Sequence, residues 1–289
     1  MASVVQEFIP EIMSAQILAQ KDKVHILGNL ANRNYEGEIK AAGQTVRIPQ
    51  VGDVTVNTYT RNNFGTGLTL EQPNVASLTL DITQEKYFNV GVDIIDISQS
   101  KVDFWAKIAG KAAYAIADVQ DQFIAGLYSQ CGLVSTSNSA STYITLGSSN
   151  VRSQFLLQHK KFDQANIQRQ GRWATICPAL MFELVDAGVL EQSNNDVVWT
   201  NGIVGNAYGW NLYVTNNLSS PSTDTDQYRL LFGVGNESIT FAEQLVRVTM
   251  GDLTQSQKGF GEFIAGLHVY GARFIPDRSG VMYAKVTND

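Results

Sequence analysis

Thr45-Val46-Arg47-Ile48, then Val54-Thr55-Val56-Asn57, then Leu78-Thr79-Leu80-Asp81-Ile82-Thr83, and last Phe88-Asn89-Val90-Gly91-Val92-Asp93-Ile94 share one rhythm. Apolar residues return at every second position almost throughout residues 45–95. Side chains of an extended backbone alternate between its two faces, so this spacing predicts strands with one buried face. Between the two halves, Arg61-Asn62-Asn63-Phe64-Gly65-Thr66-Gly67 reads as a flexible tip, with two glycines free to take positive φ. Large apolar residues are scarce here beyond one face of each strand. A two-stranded ribbon alone is marginal in water. The segment must therefore lie on another surface, either its own domain or a neighbouring subunit.

Upstream, residues 1–44 read as an arm rather than a domain. Phe8-Ile9-Pro10-Glu11-Ile12 opens a short helical stretch in which proline presets φ at a first helical position. Glu11 sits favourably at the positive end of that helix. The pattern continues through Ile17, Leu18, Val24 and Leu27, and Asn29 to Asn34 breaks it. Downstream, residues 98–130 read as one long helix, capped by Asp96 with Gln99 three residues on. Its expected apolar stripe is Val102, Trp105, Ile108, Ala109, Ala112, Ile116, Val119, Phe123 and Leu127. Such a helix spans on the order of 50 Å, a girder rather than a core helix.

The remainder is mixed. A short strand is expected near Ile144, a helix capped by Asn150, a buried strand over Trp173–Ile176, and a helix started by Pro178 and ended by Gly188. Residues 191–228 read as loop-rich, and strands follow around 230–234, 246–250, 267–274 and 281–286. The fold class is α+β.

Of the 289 residues, 17% are charged, against about 25% in an ordinary globular chain, so neutral polar side chains cover much of the surface. Such a surface is cheap to desolvate and suits a protein that buries its outside against copies of itself. Net charge is −6 and no run of basic residues occurs, so the footprint of a dedicated nucleic-acid binder is missing. Cys131 and Cys177 stand apart and read as buried thiols, with no zinc spacing or disulfide framework. His25, His159 and His268 read as isolated structural histidines. The glycine pairs Gly233/Gly235 and Gly259/Gly261 lack the third glycine and the strand-to-helix setting of a pyrophosphate site. Asp93 and Asp96 could form a carboxylate pair, but Asp96 is better explained as a cap. The expectation is no catalytic, cofactor or metal site, no signal peptide and no membrane span.

The order of parts resembles the major capsid proteins of tailed bacteriophages, the Hong Kong 97-type shell fold. Several stretches carry the resemblance: Phe8-Ile9-Pro10-Glu11-Ile12 at the arm, Asn34 to Ile39 with Gly43 to Pro49 at the entry into the extended loop, and Val92-Asp93-Ile94-Ile95-Asp96 before the spine helix. Gly202 to Val214 and Ala272 to Val281 resemble the family's axial turn-and-strand and its closing strands. The resemblance implies an N-terminal arm (1–44), an extended loop (45–92), a peripheral domain with the spine helix (93–131), an axial domain (132–262) and return strands of the peripheral domain (263–289). It implies assembly contacts at Phe8, Pro10, Tyr59, Arg61, Phe64, Gly65, Gly67 and Glu71. Some family members crosslink a lysine to an asparagine between subunits; Lys86 and Asn62 are of those types, though no motif singles them out.

The implied function is self-assembly, through pentamers and hexamers, into an icosahedral shell around double-stranded DNA held loosely, built in the host cytoplasm and found in the virion. A separate scaffold protein, a portal and decoration proteins are the implied partners. Two other classes stay open: a nanocompartment shell of the encapsulin type with a groove for cargo peptide, and a soluble carbohydrate-active or carbohydrate-binding β-rich protein.

Overall fold

A computed structural model describes residues 26–35, 45–51, 54–59, 61, 70–72, 75–94, 104–135, 143–187, 203–220, 226–253 and 259–286. The strands are β1 (Thr45–Val51), β2 (Val75–Asp81), β3 (Gln84–Asp93), β4 (Leu133–Val134), β5 (Ile144–Leu146), β6 (Arg172–Ile176), β7 (Ile203–Ala207), β8 (Trp210–Val214), β9 (Gln227–Val234), β10 (Ile239–Asp252), β11 (Gly261–Phe274) and β12 (Ser279–Val286). The helices are α1 (Phe104–Gly126), α2 (Val151–Gln164) and α3 (Pro178–Asp186).

The alternation over residues 45–95 forms strands, as its period requires, but they do not stay together. β1 and β2 pair antiparallel, with Val46 opposite Leu80 and Ile48 opposite Leu78. β3 leaves this ribbon and becomes the edge of a second sheet, ordered β10-β11-β3. Residues 84–92, assigned with the extended loop, are thus part of a sheet rather than of the ribbon. In β10 the register slips between Leu245 and Arg247, a bulge that leaves Val246 half exposed.

α1 lies across one face of that sheet. Its described part has 23 residues, about 35 Å, and a 3-10 turn over Leu127–Gln130 follows it. Residues 95–103, which include the expected Asp96 cap, lie outside the described residues. The buried line runs through Ala109, Ala113, Ala117, Gln120 and Ile124, while Val119 is exposed. The seam is therefore turned by about one position from the expected stripe, because alanine lets the helix approach the sheet closely. Ala109 and Ala113 pack on Ile264, flanked by Phe88, Val90, Val248 and Met250.

The larger sheet has seven strands, ordered β4-β12-β9-β6-β8-β7, with β5 also on β12. Every residue of β6 is buried. Ala174 and Ile176 face α2 and α3, meeting Phe155, Phe162, Leu180 and Leu184 together with Phe232 and Met282. Trp173 faces the other way, into a core shared with Leu27, Ile124, Phe241, Tyr270 and Phe274. This second core joins the two sheets, α1 and the N-terminal segment. Truncating Trp173 to alanine there would cost about 3–5 kcal/mol.

Sheet membership crosses the implied divisions in two places. The division at 262/263 cuts the β10–β11 pair, and β12, grouped with the peripheral strands, is an inner strand of the larger sheet. β12 buries side chains on both faces, Val281 on one and Met282 on the other, so it needs strands and layers around it.

The local start signal holds at α3 and not at α2. Pro178 opens α3, and the Cys177 thiol accepts from the Leu180 amide. Asn150 stands before α2, but its side chain binds backwards instead: Oδ1 accepts from Gly147 N at 3.0 Å and Nδ2 donates to Thr145 O at 2.8 Å. Within the stretch read as loop-rich lies the β7–β8 hairpin, turned by Tyr208 (φ 51°) and Gly209 (φ 81°). Two successive positive φ angles make the turn whose twist suits a two-residue hairpin. Both cysteines are free and buried, and burial pushes the Cys131 thiol up to about 12.

Candidate assembly surface

The ribbon has two parts with opposite surroundings. At its root, Val46, Ile48, Leu80 and Ile82 close on Ala242 of β10 and Val269 of β11, with Tyr35 and Leu78 at the margin. The Arg273 guanidinium donates to Thr79 O at 2.9 Å. A side chain at Gly271 would press into the Asp81 carbonyl oxygen, so glycine there is what lets the ribbon sit down on β11. The chain's own domain thus covers the root.

Farther out, none of the described residues does so. Val54, Val56, Tyr59 and Leu70 are 73%, 93%, 69% and 95% exposed. The two edges are held together by Glu71, whose carboxylate accepts from Thr55 N at 2.9 Å and from Thr55 Oγ1 at 3.0 Å. Covering apolar side chains of this size contributes about 1.5–3 kcal/mol each. The ribbon therefore presents a braced apolar surface to whatever packs on it. Of the expected contact residues, Tyr59, Arg61 and Glu71 are exposed here. Phe8, Pro10, Phe64, Gly65 and Gly67 lie outside the described residues, as does Asn62. Lys86 is in β3, opposite His268.

The N-terminal segment is fastened at three points. Leu27 is fully buried, and its amide donates to Asp121 Oδ1 in α1 at 3.2 Å. Asn32 pairs with β10: its N–H donates to Ile239 O at 2.8 Å and its carbonyl accepts from Phe241 N at 3.0 Å. Arg33 meets Glu243 at 3.2 Å and lies over the Phe241 ring. Burial pushes the Asp121 carboxyl up to about 6, with the backbone donors of Ile26, Leu27 and Gly28 pulling the other way.

Two histidines read as isolated are not. His268 is buried with Nε2 3.0 Å from Glu243 Oε2, the oxygen that also accepts from Gln120 Nε2 at 2.8 Å. One carboxylate thus links the arm base, α1, β10 and β11. His159 in α2 lies 3.1 Å from the Arg172 guanidinium and 3.5 Å from Asp163. Burial first, then the Arg172 charge, holds it below the ordinary histidine range. Arg172, itself buried, bonds Asp163 at 2.8 Å and Gln168 O at 3.0 Å. The partners of His268 are distant in sequence or set by strand pairing, whereas Asp163 stands four residues from His159 on the same helix, a local sign that the sequence reading passed over.

Among the described residues no group of three or more His, Cys, Asp or Glu could hold a metal ion, and no helix is long and apolar enough to cross a membrane. What this arrangement offers chemically is an uncovered apolar surface on a hydrogen-bonded frame.

No protein-family model matches the sequence, and no curated protein matches it. Solved structures do. A structure of Mycobacterium phage Che8 is 25% identical, with TM-score 0.67, covering 89% of this chain and 90% of that one. The capsid of the cyanophage P-SCSP1u is 16% identical, with TM-score 0.68, covering 92% and 89%. A virus-like particle from Pyrococcus furiosus is 14% identical, with TM-score 0.55, covering 95% and 99%. The chain has the fold of tailed-phage capsid proteins over nearly its whole length.

Proposed function

We propose that this chain is the major capsid protein of a tailed phage, a structural subunit rather than an enzyme, which assembles with itself into an icosahedral shell around double-stranded DNA. The observation that carries this reading is the ribbon. Its root is sealed by its own domain, while Val54, Val56, Tyr59 and Leu70 reach solvent on a framework braced by Glu71. A monomer gains nothing from that arrangement. A subunit that lays the ribbon over its neighbour buries it.

In this reading residues 45–81 form the extended loop and α1 the spine. The sheet of β10, β11 and β3 belongs to the peripheral domain. The larger sheet with α2 and α3 forms the axial domain, gathered around five-fold and six-fold axes. The arm, fastened from Leu27 to Arg33, clasps another neighbour. Several modest contacts per subunit make dissociation slow, because they must break together. A low charge density and a negative net charge suit loose contact with packaged DNA. Scaffold, portal and decoration proteins are the further partners, with assembly in the host cytoplasm. The nanocompartment reading shares the fold, and the higher TM-scores to the phage structures favour the virus.

Deleting residues 61–70 tests the role of the extended loop. The expected product is a folded, soluble subunit that forms no shells by negative-stain microscopy. Normal particles from the deletion would refute it.

A further inference from the structure

On the outer side of the larger sheet, α2 and α3 lie side by side with opposite charge. α2 carries Arg152, Lys160 and Lys161 against the one carboxylate of Asp163; α3 carries Glu183 and Asp186 and no base. Each also holds large apolar side chains out to solvent. Leu156 and Leu157 on α2 are 45% and 40% exposed, and Phe182 on α3 is 65% exposed. The spacing matters. Arg152, Leu156 and Lys160 succeed one another at four-residue steps, so they form one stripe in which a leucine is framed by cations. Phe182 and Asp186 are likewise four apart, a phenylalanine beside an acid. The inner sides of both helices are already used, through Phe155, Phe162, Leu180 and Leu184 in the core.

We infer that the Arg152–Leu156–Lys160 stripe of one copy docks on the Phe182–Asp186 stripe, with Glu183, of a second copy of this chain. An apolar centre inside a charged rim is the anatomy of a specific interface. The charge pattern names the occupant. A surface that is basic on one element and acidic on its neighbour finds its complement in another copy of itself, and a partner of single sign would be repelled by one half. Because the two stripes lie side by side, two copies related by a two-fold axis set each stripe on the other's complement, a reciprocal contact. The inference rests on the shell reading and deepens it, assigning these stripes to a two-fold contact between neighbouring subunits.

The test is charge reversal in the full chain, read as particle yield by sedimentation and negative-stain microscopy, with circular dichroism as the check on folding. Arg152→Glu with Lys160→Glu is expected to lower particle yield more than about tenfold, since like charges then face each other. Adding Glu183→Lys and Asp186→Lys to that chain restores opposite signs and is expected to restore particles. Wild-type yield from the first variant, or no recovery in the second when both are folded, overturns the inference. If the reversed chains do not fold, a chain carrying Leu156→Cys and Phe182→Cys decides instead. Mild oxidation of its assembled form should give disulfide-linked dimers, and monomer alone overturns the contact. Failure of the unaltered chain to form particles would sink the shell reading itself, a result distinct from any of these.

Discussion

Asp121 is 4% exposed in the middle of α1, and replacing it by asparagine should stabilise the isolated subunit at neutral pH. Its carboxyl is pushed from 3.8 to about 6, chiefly by burial. Each unit corresponds to 1.36 kcal/mol, so the ionised form is penalised by on the order of 3 kcal/mol in the folded state. The folded value lies above the unfolded one. The stability this group contributes is therefore fully present below about 3.8 and is lost as pH rises through about 6. Asparagine keeps one oxygen, for the Leu27 amide, sets its Nδ2 beside the Ile26 amide much as the protonated carboxyl sets its hydroxyl there, and carries no charge. The wild type and Asp121→Asn should thus be alike near pH 3.5, with the variant ahead by about 2–3 kcal/mol at pH 8. Urea unfolding followed by tryptophan fluorescence measures this, in subunits lacking residues 61–70 so that assembly does not add to stability. Taking the difference between the two chains cancels every other titrating group. A difference that does not change with pH would refute the reasoning. So would a variant weaker at pH 8, since the backbone donors would then outweigh the burial.

Two further outcomes follow from the geometry. Gly271→Ala should lift the ribbon root from β11 and destabilise the subunit by about 1–3 kcal/mol in the same urea assay, with a smaller loss showing that the root adjusts freely. His159 is held below its ordinary range, so it contributes stability above about 6.5 that is lost as pH falls. His159→Gln should accordingly flatten the acid side of the stability profile, and an unchanged profile would refute the downward shift at that site.

What the sequence made legible was whatever local periodicity encodes. The alternation from Val46 to Ile94 announced strands, the alanine-rich run from Ala106 announced α1, and Pro178 marked the start of α3. What it hid depends on pairing across long separations. Nothing near Gln84 says that β3 leaves the ribbon for β11, since either partner suits a half-buried strand. Nothing near Gly280 says that β12 joins the larger sheet. The buried face of α1 was shifted because alanines, not the larger Val119, allow close approach to the sheet. Gln120, Asp121, Glu243 and His268 look like surface residues one at a time; only the fold, joining positions 25 to 148 residues apart, turns them into a buried network. Tyr59, Arg61 and Glu71 were named through the resemblance alone, and the Glu71–Thr55 brace and the sealed root needed coordinates.

Mass measurement on the purified, unaltered protein reaches to the root of this account. Megadalton particles, with rings of five and six subunits in projection, are what a ribbon uncovered beyond its root requires. A compact monomer or dimer that stays soluble at high concentration, with Val56 and Leu70 still open to solvent, would contradict it.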